Sequence, residues 1–132
     1  MYKITGQDIY LNDAVRTADN AVDNVQFSPG GVLKDEGNGS LFKGILVRYL
    51  TQLAEEGPTS AAAKAKYVNF LKFNAEILIN RGTRRPGYVF SPNWNGPPAG
   101  IVDGSTQLSG VMLMETVTPN LHKSTPDGSD CC

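Results

Sequence analysis

The chain is poor in the residues that build metal and nucleophile sites. Its single histidine is His122, and its only cysteines, Cys131 and Cys132, are adjacent at the end of a polar tail. Vicinal cysteines in a tail offer no second pair to complete a zinc site or a redox motif, so no metal and no cofactor is expected. A lone histidine with no serine, cysteine or second histidine placed near it excludes nucleophilic catalysis of the triad kind. Excess charge is missing as well: the formal net charge is −1, which gives no electrostatic reason to bind nucleic acid or an anionic membrane surface. No apolar run is long enough to cross a bilayer, and the first residues lack the basic start and apolar core of a signal peptide, so an export signal, if there is one, lies outside this sequence. Gly30-Gly31 and Gly37-Asn38-Gly39 have neither the strand nor the spacing of a phosphate-binding loop. Strands with period-two patterning are absent too, although Val32-Leu33 and Tyr88-Val89-Phe90 have the composition to pair briefly.

What remains is helical. From Ser40 to Glu56, Phe42, Ile45, Leu46, Tyr49, Leu50 and Leu53 recur at helical spacing and form one apolar stripe, with Ser40 as the expected cap. The other face carries Gly44, Val47 and Thr51, so a second element can approach closely there. A helix that is apolar on most of its circumference belongs inside a larger assembly. In front of it, Met1 to Thr5 reads as the end of an element stopped by Gly6. A helix capped by Asp8 then buries Leu11, Val15, Ala18, Val22 and Val25, while Asn12, Asp13, Arg16, Asp19 and Asp23 face water. After a stop at Gly57, Ser60 caps a third helix running to about Arg81, with Ala63, Tyr67, Phe70, Leu71, Ile77 and Leu78 on one face. A fourth, almost wholly apolar helix starts at Ser105 or Thr106 and ends near Val117.

The predicted fold is therefore all-α, four main helices in antiparallel hairpins, with residues 1–117 as the folded unit and 118–132 as a disordered polar tail. Residues 26–40 and 83–105 are long, turn-rich connections, and antiparallel neighbours place both at one end of the array. That end is where function is expected. It collects Asp35, Glu36, Asn38, Lys43, Arg84, Arg85, Tyr88, Asn93, Trp94, Asn95 and Gln107. Amides, carboxylates, cations and an aromatic suit a carbohydrate, whose hydroxyls need polar partners and whose C–H face suits a ring. Trp94 has an equally open alternative, as a loop residue folded back on the core. Asp35-Glu36 has one as a solvated turn, because two carboxylates doing glycosidic acid and base chemistry must flank the bond about 5–10 Å apart. Lys43 and Arg48 interrupt an apolar helix, so Lys43 is expected to act at the loop end and Arg48 to form a structural ion pair.

Several stretches together resemble glycoside hydrolase family 76, the endo-acting α-1,6-mannanases, in the style of Bacteroidetes-like bacteria. They are Leu41-Phe42-Lys43-Gly44-Ile45-Leu46-Val47-Arg48-Tyr49-Leu50, preceded by Gly30-Gly31-Val32-Leu33-Lys34-Asp35-Glu36-Gly37; Tyr2-Lys3-Ile4-Thr5-Gly6 with Tyr10-Leu11-Asn12-Asp13-Ala14; and Asn93-Trp94 followed by Thr106-Gln107-Leu108-Ser109-Gly110. The resemblance implies an (α/α)6 toroid, with inner helices apolar all round and outer helices one-sided, and it implies that this chain is the C-terminal part of one. The family's catalytic pair is two consecutive aspartates in an earlier hairpin. No Asp-Asp occurs in this sequence, so no catalytic residue is assigned. By resemblance the rim of a mannan cleft would be Glu36, Lys43, Trp94 and Gln107, the partner an α-mannan or related glycan, and the location extracellular or periplasmic. An incomplete toroid leaves apolar surface bare, which predicts self-association, as a symmetric dimer.

Overall fold

In the computed structural model, residues 1–35 and 41–122 are described, with side chains to residue 118. They form helices α1 (Tyr2–Thr5), α2 (Asp8–Asp23), α3 (Leu41–Glu56), α4 (Ala61–Asn80) and α5 (Gly104–His122), with a 3-10 turn at Pro29–Gly31 and a two-stranded ribbon of β1 (Thr83–Arg84) and β2 (Val89–Phe90). The fold is all-α, as the periodicity predicts. Gly6 ends α1 with φ 68, a left-handed stop that only glycine adopts at no steric cost. Ser60 caps α4 by accepting from the Ala63 amide at 3.2 Å. The expected cap at Ser40 lies outside the described residues.

The limits of two helices and one cap depart from expectation. Gln7, not Asp8, is the N-cap of α2, and Asp8 stands in its first turn, where a carboxylate still complements the helix dipole. That helix stops at Asp23, so Val25 is exposed in the following turn. The brief pairing open to Tyr88-Val89-Phe90 does form, with the segment before it as partner: Thr83 pairs with Phe90 and Arg84 with Val89. Finally, α5 continues past Val117 to His122; Pro119 forfeits a helical hydrogen bond without by itself terminating a helix packed on its neighbours.

Packing centres on α3, which lies against both α5 and α4. The face it buries coincides only in part with the predicted stripe, at Leu50 and, partly buried, at Leu46 and Leu53. Lys43, Gly44, Val47, Leu50 and Ala54 are buried, whereas Phe42 and Tyr49 of the stripe remain 65% and 62% exposed. Small residues decide this. A Cβ on Gly44 would stand 3.1 Å from the Ser109 Cα, so the two backbones meet closely there, and the Gly44 amide donates to Ser109 Oγ at 3.2 Å. Farther along the same seam Thr51 and Thr116 approach to 3.5 Å. The larger apolar stripe finds no such partner among the described residues, in keeping with a helix meant to be covered on both sides.

The core joins Val47, Leu50 and Ala54 of α3 to Tyr67, Phe70, Leu71, Ala75 and Leu78 of α4 and Leu113 and Val117 of α5. Val32, Leu33, Phe90 and Trp94 enter it from the loops. On the outer side, Asp19 and Asp23 of α2 do not simply face water. Lys66 Nζ donates to Asp19 Oδ1 at 2.8 Å and to Asp23 Oδ2 at 2.5 Å, and the Tyr67 hydroxyl donates to Asp19 Oδ1 at 3.0 Å. The hydrogen bond from Lys66 holds the Asp19 carboxyl below its usual range, the same bond raises Lys66, and burial pushes the Tyr67 phenol up to about 12.

Candidate functional site

Both long connections lie at the end of the array where α3 begins and α4 finishes. The first is tied to α4 by Asn74, fully buried, whose amide accepts from Leu33 N at 2.9 Å and donates to the Gly31 and Phe70 carbonyls, each at 2.9 Å. A buried amide must satisfy several polar atoms at once, and Asn74 does so by holding a loop whose own regular structure is limited to the 3-10 turn at Pro29–Gly31. Nothing in the helical pattern around Asn74 marks it, apart from a polar residue at a position whose neighbours Phe70, Leu71 and Leu78 are buried.

The second connection is held at three points. Lys43 is 1% exposed; its ammonium donates to the Pro92 carbonyl and lies 4.6 Å from the centre of the Trp94 ring. Trp94 is fully buried, so the folded-back alternative prevails, and its indole N–H meets no hydrogen-bond partner among the described residues. The loop passes so close to the end of α4 that a Cβ on Gly82 would stand 2.5 Å from the Trp94 carbonyl oxygen. Farther on, Gln107 accepts from Phe90 N at 2.9 Å and donates to the Tyr88 carbonyl at 3.1 Å, fastening the ribbon to α5. Asp103 caps that helix, accepting from Thr106 N at 2.8 Å, and the hydrogen bonds from Ser105 and Thr106 hold its carboxyl below the usual range.

The structure thus places Lys43 and Trp94 in contact with each other and Gln107 on the neighbouring ribbon. Glu36 lies outside the described residues. Arg48 is a correction: it is exposed on α3, where it shares a shallow surface depression with Glu55 and Glu115 without forming an ion pair with the described residues. Arg84, Arg85, Tyr88, Asn93 and Asn95 are exposed on the second connection. Among the described residues no group of histidine, cysteine and carboxylate side chains can hold a metal ion. No helix among them is long and apolar enough to cross a membrane.

Away from the loops, a groove of about 870 Å3 separates α1 and α2 from α3. Ile4, Leu11, Ala14, Leu46, Tyr49 and Leu53 line it, and an ion pair between Lys3 and Glu56 spans its rim. It contains much of the bare stripe of α3.

No protein-family model matches the chain, and no curated protein matches it. Solved structures do. An inactive variant of the α-1,6-mannanase GH76A of Salegentibacter sp. HEL1_6, with two consecutive aspartates replaced by asparagine and α-1,6-mannotriose bound, is 47% identical over 87% of this chain, with a TM-score of 0.83. The unaltered GH76A enzyme gives 47% and 0.82. The Lin0763 protein of Listeria innocua is 32% identical over 96% of the chain, with a TM-score of 0.79. The chain spans about a third of these structures, 34% of the mannanase and 35% of the Listeria protein. The likeness to glycoside hydrolase family 76 carried by the sequence motifs is borne out in both sequence and fold.

Proposed function

Starting from its likeness to glycoside hydrolase family 76, we propose that this chain forms one wall and part of the sugar-binding rim of a cleft for α-1,6-linked mannan or a related glycan. The observation that carries this reading is 47% identity sustained over 87% of the chain at a TM-score of 0.83 to a protein solved with α-1,6-mannotriose. The loops that gather at one end of the helices supply the amides, cations and exposed rings that hydroxyls and C–H faces require. The rim comprises Glu36, Lys43, Trp94 and Gln107, of which Lys43, Trp94 and Gln107 act chiefly by fixing the loop backbone.

Hydrolysis is not expected of the chain alone. The relative was made inactive by replacing two consecutive aspartates, and this sequence has no such pair. Among the described acidic residues of the loop end, Asp103 is committed to capping α5. Residues 1–122 act as a portion of the toroid, and the protein works outside the cytoplasm, where its substrate would be met. The alternative is a helical glycan-binding or assembly module without hydrolysis, which the exposed Phe42 and Tyr49 and the apolar groove favour. In either case this surface promotes association into a symmetric dimer.

The test is incubation of the purified chain with linear α-1,6-mannan, following reducing-end release, glycan retention and mass in solution together. Retention by an associated species without release is the expected result. Clear release would overturn the inactive reading and turn attention to Asp35 and Glu36; absence of any retention would overturn the cleft assignment.

A further inference from the structure

The sequence offers Trp94 as the sugar platform, but its ring is enclosed and one face is taken by Lys43. A different aromatic occupies the exposed position. Tyr88, at the turn of the ribbon, is 56% exposed and has φ 51. A bulky side chain in the left-handed region is a backbone outlier, and such strain persists only where surrounding contacts over-determine it. Those contacts are present. Gly87 turns the chain at φ 102, the pairs Thr83 with Phe90 and Arg84 with Val89 close the ribbon, and the Gln107 amide grips the backbone on both sides of Val89, at the Tyr88 carbonyl and the Phe90 amide.

Burial does not compensate this strain, because the ring points outward. Arg85 lies over one face of that ring, with its guanidinium carbon 5.5 Å from the ring centre, so that only the opposite face is offered to a ligand, and it makes no ion pair with the described residues. An exposed aromatic face next to a guanidinium matches a pyranose: the ring covers the C–H face, and the planar N–H donors reach hydroxyl oxygens that a hydrophobic protein partner would lack.

We propose that Tyr88 and Arg85 form a subsite for one hexopyranosyl unit, with Gln107 as the positioning residue that holds the strained turn. This rests on the glycan reading above and names where the sugar sits. Binding of α-1,6-mannotriose to the full chain is measured by titration calorimetry alongside thermal melting. Tyr88→Asn keeps a residue that tolerates the left-handed backbone while removing the ring; it is expected to weaken binding roughly five- to tenfold and leave the melting temperature unchanged or higher. Tyr88→Phe keeps the face and binds within about twofold of wild type. Wild-type binding that is unaltered in Tyr88→Asn overturns the subsite and leaves the glycan reading standing. A lowered melting temperature with unaltered binding also overturns it, in favour of a packing role. If the wild type does not bind the trisaccharide at all, the glycan reading falls and the subsite with it.

Discussion

Gly110→Ala tests whether the ribbon and α5 are packed as tightly as described. On a free helix the change is favourable by about 1 kcal/mol, because alanine is the better helix former. Here the added Cβ would run into Phe90 Cδ2 and lie 2.7 Å from Phe90 Cβ. Rotating the ring relieves the first contact but not the second, since a Cβ moves only with its backbone. Phe90 must retreat by about 0.7 Å to reach the short edge of ordinary contact. Overpacking of this kind costs about 1–3 kcal/mol. The shift also strains the bond from Phe90 N to the Gln107 amide, worth about 1 kcal/mol. Against the helix gain, a net loss of about 2 kcal/mol is expected, or roughly 8 °C in Tm for a chain of this size. Gly104→Ala in the same helix is the control, since its Cβ meets nothing within 4 Å and should change stability by less than about 0.5 kcal/mol. Thermal and urea unfolding of the three proteins decide the matter. A Gly110→Ala variant as stable as wild type, or more so, would refute the close approach of β2 to α5.

Lys43→Met removes a desolvated cation from the Trp94 ring and the donor to the Pro92 carbonyl; a loss of about 2–4 kcal/mol is expected, and the emission of the chain's single tryptophan should shift to the red as the loop loosens, both readable in one urea titration monitored by fluorescence. Tyr67 should ionise near pH 12 in the folded protein, against about 10 in the unfolded chain. The folded state then holds the phenolic proton more tightly, so stability is lost as pH rises above the unfolded value, by up to about 3 kcal/mol. Ultraviolet titration of wild type and Tyr67→Phe would show a late-ionising phenol in the first that is lost in the second. Equal titration curves, apart from a constant amplitude difference, would sink this account of the α2–α4 contact.

The order and approximate limits of the four main helices were legible because each depends on local chemistry: apolar periodicity, Gly6 and Gly57 as stops, Ser60 as a cap. The two faces of α3 were read correctly as both apolar, yet which one this chain would bury was not, since that depends on where Ser109 and Gly110 let α5 come close. The site was legible as a place more than as a set of roles. Lys43 and Trp94 do meet at the loop end, but burial turns them inward. Asn74 escaped notice because a buried amide in a helix looks like an ordinary exposed one until its loop partners are known. Tyr88 was in the candidate group, but its importance rests on a backbone angle that no residue pattern encodes. The (α/α)6 assignment came from resemblance, since periodicity alone yields antiparallel hairpins and no ring.

The groove between α2 and α3 also bears on how the molecule comes apart. The helix α2 is linked to the body through Lys66, Tyr67 and a modest apolar seam, while α3, α4 and α5 share the continuous core. The expected consequence is two units of unequal protection, with amide exchange from α2 proceeding by local opening while the three-helix body stays closed. Whatever fills the groove would couple the two units, so binding there would be felt as slowed exchange in a helix whose own hydrogen bonds are unchanged.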